Sequence, residues 1–254
     1  LKKFLFVDLD DTLFSTLGKC ASQSDLHPAA YYSDRSVCSY TTARQRAFLS
    51  LMDPATTLIP ATARHLDAFG RVDLPFNSYK ILNFGGLILG PDNEPDPAWM
   101  AQMRADMTTA LPGLSDAAAV INAYCDEQGL ASRARVVEDG GLPFYTLIKD
   151  VDKLAARLAP IEHEALAPWL AGQGSGLGCG FYVHRNGNNL AVLPRTLDKA
   201  VAVEYVTRLL RAEHGEIMTM GMGDSKSDAR FMAACDYAII PSNTQLAALT
   251  VAAL

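Results

Sequence analysis

Four short apolar runs, each ending in acidic, small or hydroxyl residues, constrain this chain most. They are "KFLFVDLD" (3–10), "TTLIPATA" (56–63), "EIMTMGMGD" (216–224) and "DYAIIPS" (236–242). Each is too short for most helices and suits a strand buried on both faces. Helical patterns fall between them at 41–52, 198–215 and 225–235. Strands alternating with helices imply an α/β chain with a doubly wound, mostly parallel sheet. Such sheets carry their function at the carboxyl ends of the strands. Asp8, Thr62 and Asp224 stand at three of those ends.

The middle of the chain reads differently. "DPAWMAQMRADMTTAL" and "LSDAAAVINAYCDEQG" are expected as two helices divided at Pro112-Gly113. Two strands follow, "RARVVED" and "PFYTLIKD", joined at Gly140-Gly141. A helical stretch over 150–172 is expected to bend at Pro160 or Pro168, where proline removes a backbone donor. "GFYVHR" and "NNLAVLP" then form a hairpin at Asn186-Gly187, a favoured two-residue turn. The order helix–strand–strand thus occurs twice. It predicts an inserted α+β domain over 87–193, with 1–86 and 194–254 forming the core, and Gly and Pro marking the borders.

Asp8-Leu9-Asp10 projects two carboxylates to one side of an extended chain. Two like charges held together raise the pKa of one, which suits an acid, while a divalent cation keeps the other ionised as a nucleophile. The alternative is a strand end followed by an Asp-rich turn. "MGMGDSKSD" adds Asp224 and Asp228, and oxygen-only ligands of this kind suit Mg²⁺. Ser225 to Asp228 also reads as a capping box, so Asp228 is either a metal ligand or a helix cap. Thr62 can hold phosphate with its hydroxyl and neighbouring N–H groups, or be structural. Lys199 falls in the first turn of a helix with Thr196 as its expected N-cap. A cation is disfavoured there unless it faces an anion or solvent.

Together, "DLDDTL" (8–13), Thr62 in "IPATAR", Lys199 and "GDSKSD" (223–228) resemble the haloacid dehalogenase superfamily of phosphohydrolases, in the family's order. The resemblance covers the first and last portions of the chain. Asp10 is what its phosphatases have and its true dehalogenases lack. The interval between Thr62 and Lys199 holds the insert, which corresponds to a class II cap. The doubled repeat is similar to the caps of sucrose-phosphate, mannosylphosphoglycerate and trehalose-phosphate phosphatases and of phosphomannomutases.

This resemblance implies a Mg²⁺-dependent phosphatase acting on a small phosphorylated metabolite, most simply a sugar phosphate. Asp8 would be the nucleophile and Asp10 the general acid and base. Thr12, Thr62 and Lys199 would hold the phosphoryl oxygens. Asp8, the Asp10 backbone carbonyl, Asp224 and Asp228 would surround the metal. Asp11 is expected only to shape the turn. Arg185 in the second hairpin, and as the next choice Lys149 in "PFYTLIKD", are candidates for substrate contact. A phosphomutase is the enzyme alternative, and a phospho-accepting signalling domain is an alternative from another class. The insert speaks against the latter.

Bulk properties set further expectations. A net charge of −6 argues against nucleic acid or an anionic membrane as partner. Cysteines 20, 38, 125, 179 and 235 show no CxxC pair, which fits reduced thiols in the cytoplasm. "LKKFLFV" runs straight into charge and reads poorly as a signal peptide. The sequence sets no oligomeric state. The five histidines share no metal-ligand spacing.

Overall fold

A computed structural model describes residues 1–20, 22–173 and 180–253. The chain begins with β1 (Lys2–Val7), a hairpin of β2 (His27–Tyr31) and β3 (Val37–Thr41), α1 (Ala43–Ser50), β4 (Thr56–Pro60), α2 (Leu66–Phe69) and a second hairpin, β5 (Lys80–Leu82) with β6 (Leu87–Leu89). Next come α3 (Pro97–Glu127), β7 (Arg135–Asp139), β8 (Leu142–Ile148), α4 (Leu158–Pro160), a wide helical turn at Ile161–Leu166, α5 (Ala167–Gly172), β9 (Phe181–Asn186) and β10 (Asn189–Pro194). The last portion holds α6 (Lys199–His214), β11 (Ile217–Met222), α7 (Ala229–Ala233), β12 (Tyr237–Ile239) and α8 (Gln245–Ala252).

Two compact units divide these elements. One comprises Leu1–Pro97 with Asp198–Leu254, and the other Ala98–Leu197. The β5–β6 hairpin therefore belongs to the first unit, although "GGLILGP" reads in sequence as the edge of the insert. Strand pairing explains this, because Leu82 pairs with Leu87 and Ala61 bridges to Ile81, tying the hairpin to the end of β4.

In the first unit the sheet order is β12-β11-β1-β4, all parallel. Strand β1 lies inside it, and Leu5, Phe6 and Val7 are wholly buried, as a run apolar on both faces requires. The register aligns Val7 with Met222 on one side and with Pro60 on the other. The residues that follow these three, Asp8, Gly223 and Ala61, therefore emerge together at one edge.

The second unit has an antiparallel sheet of order β7-β8-β10-β9, with the two repeats meeting where β8 pairs with β10. Its core joins Leu114, Ala117 and Ile121 of α3 to Ile148, Leu190 and Val192 of the sheet. The turns are built as their residues suggest, with Gly140, Gly141 and Gly187 all at positive φ.

Pro112 does not end a helix, because α3 is one element of 31 residues. Met103, Met107, Ala110, Leu114, Ala117, Ile121 and Cys125 are all buried along one stripe that passes the proline without interruption. Packing along that stripe outweighs a proline penalty of roughly 3 kcal/mol. The 150–172 stretch does break up, with α4 ending at Pro160 and Pro168 lying at the start of α5. Cys20, Cys38, Cys125 and Cys235 are free thiols, and Cys179 lies outside the described residues. Among the described residues no helix is long and apolar enough to cross a membrane.

Candidate active site

At the edge where β1, β4 and β11 end, Asp8, Asp224 and Asp228 bring one carboxylate oxygen each to within 4.8 Å of the others. Asp8 continues the strand pairing by donating its N–H to the Met222 carbonyl at 2.9 Å. Asp228 reaches the group from the turn before α7, and that approach needs glycine at 223. A Cβ there would lie 2.4 Å from the Cβ of Asp228.

Lys199 ties the acids together. Its Nζ donates to Asp8 Oδ1 and to Asp228 Oδ1, each at 2.7 Å, and its side chain is 5% exposed. The lysine begins α6, whose N-cap is Asp198 rather than the expected Thr196. The Asp198 carboxylate accepts from the Ala200 N–H at 2.8 Å, and an anion at that end also suits the helix dipole. Gly85 lets this helix start approach the β5–β6 hairpin. At φ +102, a Cβ on it would lie 2.6 Å from the Asp198 carbonyl oxygen. Gly85→Ala should therefore cost about 1–3 kcal/mol. Thermal unfolding should show a Tm several degrees lower, and an unchanged Tm would contradict this packing.

Burial is the largest influence on the ionisation of these groups. It raises the Asp8 pKa well above the carboxylate range, with Asp228 adding to the rise and Lys199 opposing it. It pushes Asp224 up to about 6, helped by the charges of Asp228 and Asp11. Asp228 differs. Burial would raise it, but the Lys199 charge and hydrogen bonds from Lys199 and Ser225 outweigh burial and lower it. The same carboxylates outweigh the burial of Lys199 and keep its ammonium charged. Three acids crowded around one cation are poor value for stability, since desolvation cancels much of the attraction. Such a group at strand ends is a candidate functional site.

Asp10 turns out of this group. Both of its oxygens accept from Arg64, Oδ2 from Nε and Oδ1 from Nη2, each at 2.8 Å. The Arg64 guanidinium also lies 5.1 Å from the centre of the Phe14 ring. Sequence reading gave Arg64 no role, although it stands in "IPATAR" two positions after Thr62. The available signal was that parity, together with an acid at the neighbouring strand end in need of a partner. Thr12 is buried and donates from Oγ1 to Asp224 Oδ1 at 3.3 Å, while the Gln45 amide holds its carbonyl at 3.2 Å. The buried Thr62 hydroxyl accepts the Arg64 N–H at 3.2 Å. Asp11, at φ 62, shapes the turn and pairs with Lys19.

Asp228 is itself the N-cap of α7 but makes no side-chain cap bond to that helix. Its Oδ2 accepts from the Ser225 N–H at 3.0 Å and the Ser225 hydroxyl at 2.6 Å, closing the turn before α7, while Oδ1 accepts from Lys199.

Arg185 and Lys149 belong to the second unit. Arg185 pairs in register with the buried core residue Leu190, so it shares the helix-covered face of that sheet, and it donates to Glu162 Oε2 at 2.7 Å. This ion pair engages the guanidinium within the unit. Asn188 likewise has a structural task, bracketing the backbone of Asp150 with its amide. Lys149 lies exposed at the end of β8.

No family profile and no curated protein sequence matches the chain. Solved structures do match. The C-terminal domain of a Candida albicans trehalose-6-phosphate phosphatase aligns over 92% of this chain and 74% of its own, at 14% identity and TM-score 0.55. A Synechocystis sucrose-phosphatase, in complex with sucrose and phosphate, aligns over 99% and 96% at 14% identity and TM-score 0.49. A haloacid dehalogenase-like hydrolase from B. subtilis aligns over 96% and 90% at 13% identity and TM-score 0.49. Fold likeness to the first of these joins the parallel core, the helix–strand–strand insert and the acids at the strand ends. The chain shares the fold of that domain, a parallel α/β core with an inserted α+β unit.

Proposed function

We propose that this protein is a Mg²⁺-dependent phosphatase acting on a phosphate monoester of a small metabolite, with a sugar phosphate as the leading substrate class. The observation that carries this reading is the buried group of Asp8, Asp224 and Asp228 around Lys199, at the carboxyl ends of adjacent parallel strands. The sugar assignment draws on the trehalose-6-phosphate phosphatase whose domain shares the fold.

Three close carboxylate oxygens form a hard, oxygen-only donor set that fits Mg²⁺. Asp8, Asp224 and the Asp10 backbone carbonyl would hold the ion, with Asp228 beside them. When bound, it supplies positive charge against the phosphoryl oxygens. In the proposed reaction an Asp8 oxygen attacks phosphorus in line, and the bond from phosphorus to the leaving oxygen breaks. Asp10 gives that oxygen a proton. Water then attacks the phosphorus of the aspartyl phosphate, Asp10 takes a proton from it, and Asp8 and inorganic phosphate are released. Lys199, Thr12 and Thr62 hold the phosphoryl oxygens and stabilise charge in the transition state. The setting proposed is the cytoplasm, with neither nucleic acid nor membrane as partner.

A screen of phosphorylated metabolites with Mg²⁺ and phosphate detection tests this reading. Expected are turnover of a sugar phosphate and silence in EDTA. Failure of every phosphate monoester would overturn it, and return of phosphate to an isomeric product would make the enzyme a phosphomutase.

Asp224 and Asp228 should respond differently to substitution. Both oxygens of Asp228 accept hydrogen bonds from Lys199 and Ser225, whereas Asp224 accepts one from Thr12. Asp224→Asn should therefore raise the Mg²⁺ needed for half-maximal activity by at least about tenfold more than Asp228→Asn does. Equal shifts in a Mg²⁺ titration would place both carboxylates directly on the ion.

A further inference from the structure

The insert has a second concentration of charge that the proposed reaction does not use. A cleft of about 320 Å³ is lined by Ala131, Arg133, Arg135, Leu147, Lys149 and Val151, all within the second unit. That volume is at the lower end of the range for small-molecule sites, roughly 300–1,000 Å³. Register brings the cations together. Arg135 pairs with Leu147 across β7 and β8, and Lys149 follows two positions later on the same face. This face is opposite the one that packs Val136, Ile148 and Leu190 against the helices.

These cations are unequal. Arg133 is occupied by Asp126 at 2.5 Å and by the carbonyls of Leu130 and Ser132. Among the described residues, the side chains of Arg135 and Lys149 make neither a hydrogen bond nor an ion pair. The adjacent acid, Asp150, offers no relief. Its carboxylate accepts from Ser132, from the N–H groups of Asp152 and Leu154, and lies 3.6 Å from Arg157. Although the Lys149 side chain reaches solvent, the protein around its ammonium lowers its pKa, and the like charge of Arg135 lowers it further. Two unpaired cations drawn together are costly in a chain whose net charge is −6 and which has acids to spare. Beside them, Leu147 and the exposed Val151 give the cleft an apolar wall.

We infer that this cleft binds a small organic anion, with a carboxylate or phosphate group between Arg135 and Lys149 and its hydrocarbon part against Leu147 and Val151. Its walls come entirely from the insert, so the site stands independently of the phosphatase reading. The anion is either a second charged group of the substrate or a separate ligand.

Phenylphosphonate, an organic anion with no ester to hydrolyse, is a suitable probe. Titrated into the intact chain and followed by residue-resolved amide shifts, it should produce saturable changes at Arg135, Leu147 and Lys149. The exposed double variant Arg135→Ala/Lys149→Ala, checked for an unchanged melting curve, should weaken that binding at least about tenfold, the scale of one charge-assisted contact. Changes near Asp8 and Lys199 should persist in it. No saturable change at the cleft, or equal affinity in the double variant, would overturn the site. Kinetics then separate the two sources. If the anion belongs to the substrate, the variant raises KM for esters with a second anionic group and leaves p-nitrophenyl phosphate unchanged. If the ligand is separate, KM is unchanged for both while phenylphosphonate binding is lost. Absence of all turnover would count against the phosphatase reading alone, because the titration needs none.

Discussion

Asp8→Asn should abolish turnover, with a loss of more than about a thousandfold in kcat, or roughly 4 kcal/mol of transition-state stabilisation. An amide keeps the shape of the carboxylate but has no lone pair of comparable nucleophilicity. Removing the charge also leaves Lys199 with Asp228 as its remaining carboxylate, since Nζ is shared between the two. The sheet does not depend on the carboxylate, because Asp8 enters it through its backbone N–H. The variant should therefore remain folded by thermal unfolding, and retention of more than a few per cent of activity would remove Asp8 from the nucleophile's role.

Asp10→Asn should lower kcat by about 10²–10⁴ when the leaving group needs a proton, the usual worth of general acid–base catalysis. The loss should shrink for formation of the intermediate from an aryl or acyl phosphate, whose leaving group departs unprotonated. The fork of Arg64 holds the Asp10 carboxylate through both oxygens, turned out of the acid group. Delivery of a proton requires Arg64 to release one of them. Arg64→Lys, which keeps the charge and loses the fork, should thus reduce kcat more for an alkyl phosphate than for an aryl phosphate. An equal loss across leaving groups in both variants would argue that Asp10 only positions other groups.

Parts of this architecture were legible because local chemistry and tertiary structure agreed. The run ending at Val7 is apolar on both faces, and those ending at Pro60 and Met222 are largely apolar, which suits a covered parallel sheet. Parallel pairing then gathers whatever follows them. The strand-end positions of Asp8, Thr62 and Asp224 could be read on that ground alone, whereas the role of Thr62 rested on resemblance. The cap hairpins were nearly as plain, since Gly140, Gly141 and Gly187 supply the positive φ that tight turns need, although the second turn is Gly187-Asn188, one position later than the sequence suggests, because Asn186 still pairs with Asn189.

Other features depend on partners far away in the sequence. Arg64 is one of many surface-type arginines until the β1–β4 register sets it beside Asp10. The β2–β3 hairpin turns through Ser33-Asp34-Arg35, with Arg35 at φ 66, and no Asn-Gly or Gly-Gly pair announces it. Pro112 predicts a break that the continuous stripe from Met103 to Cys125 overrides. Thr196 looks like a cap from its type, yet α6 starts one residue after Asp198, where a carboxylate is available. Arg185 suggested recognition because it lies in a cap hairpin, and its ion pair with Glu162, distant in sequence, could not be read from that.

The covalent step is the central claim, and it can be seen directly. Asp10→Asn should form the intermediate from p-nitrophenyl phosphate and then hydrolyse it slowly, because the base for water is gone. Acid quenching of that reaction in Mg²⁺, followed by borohydride reduction and peptide mass spectrometry, reports an acyl phosphate as conversion of aspartate to homoserine. The account predicts homoserine at position 8, dependent on both substrate and Mg²⁺, and none at Asp224 or Asp228. Release of p-nitrophenol at a steady rate with position 8 unmodified, or modification at another carboxylate, would contradict it.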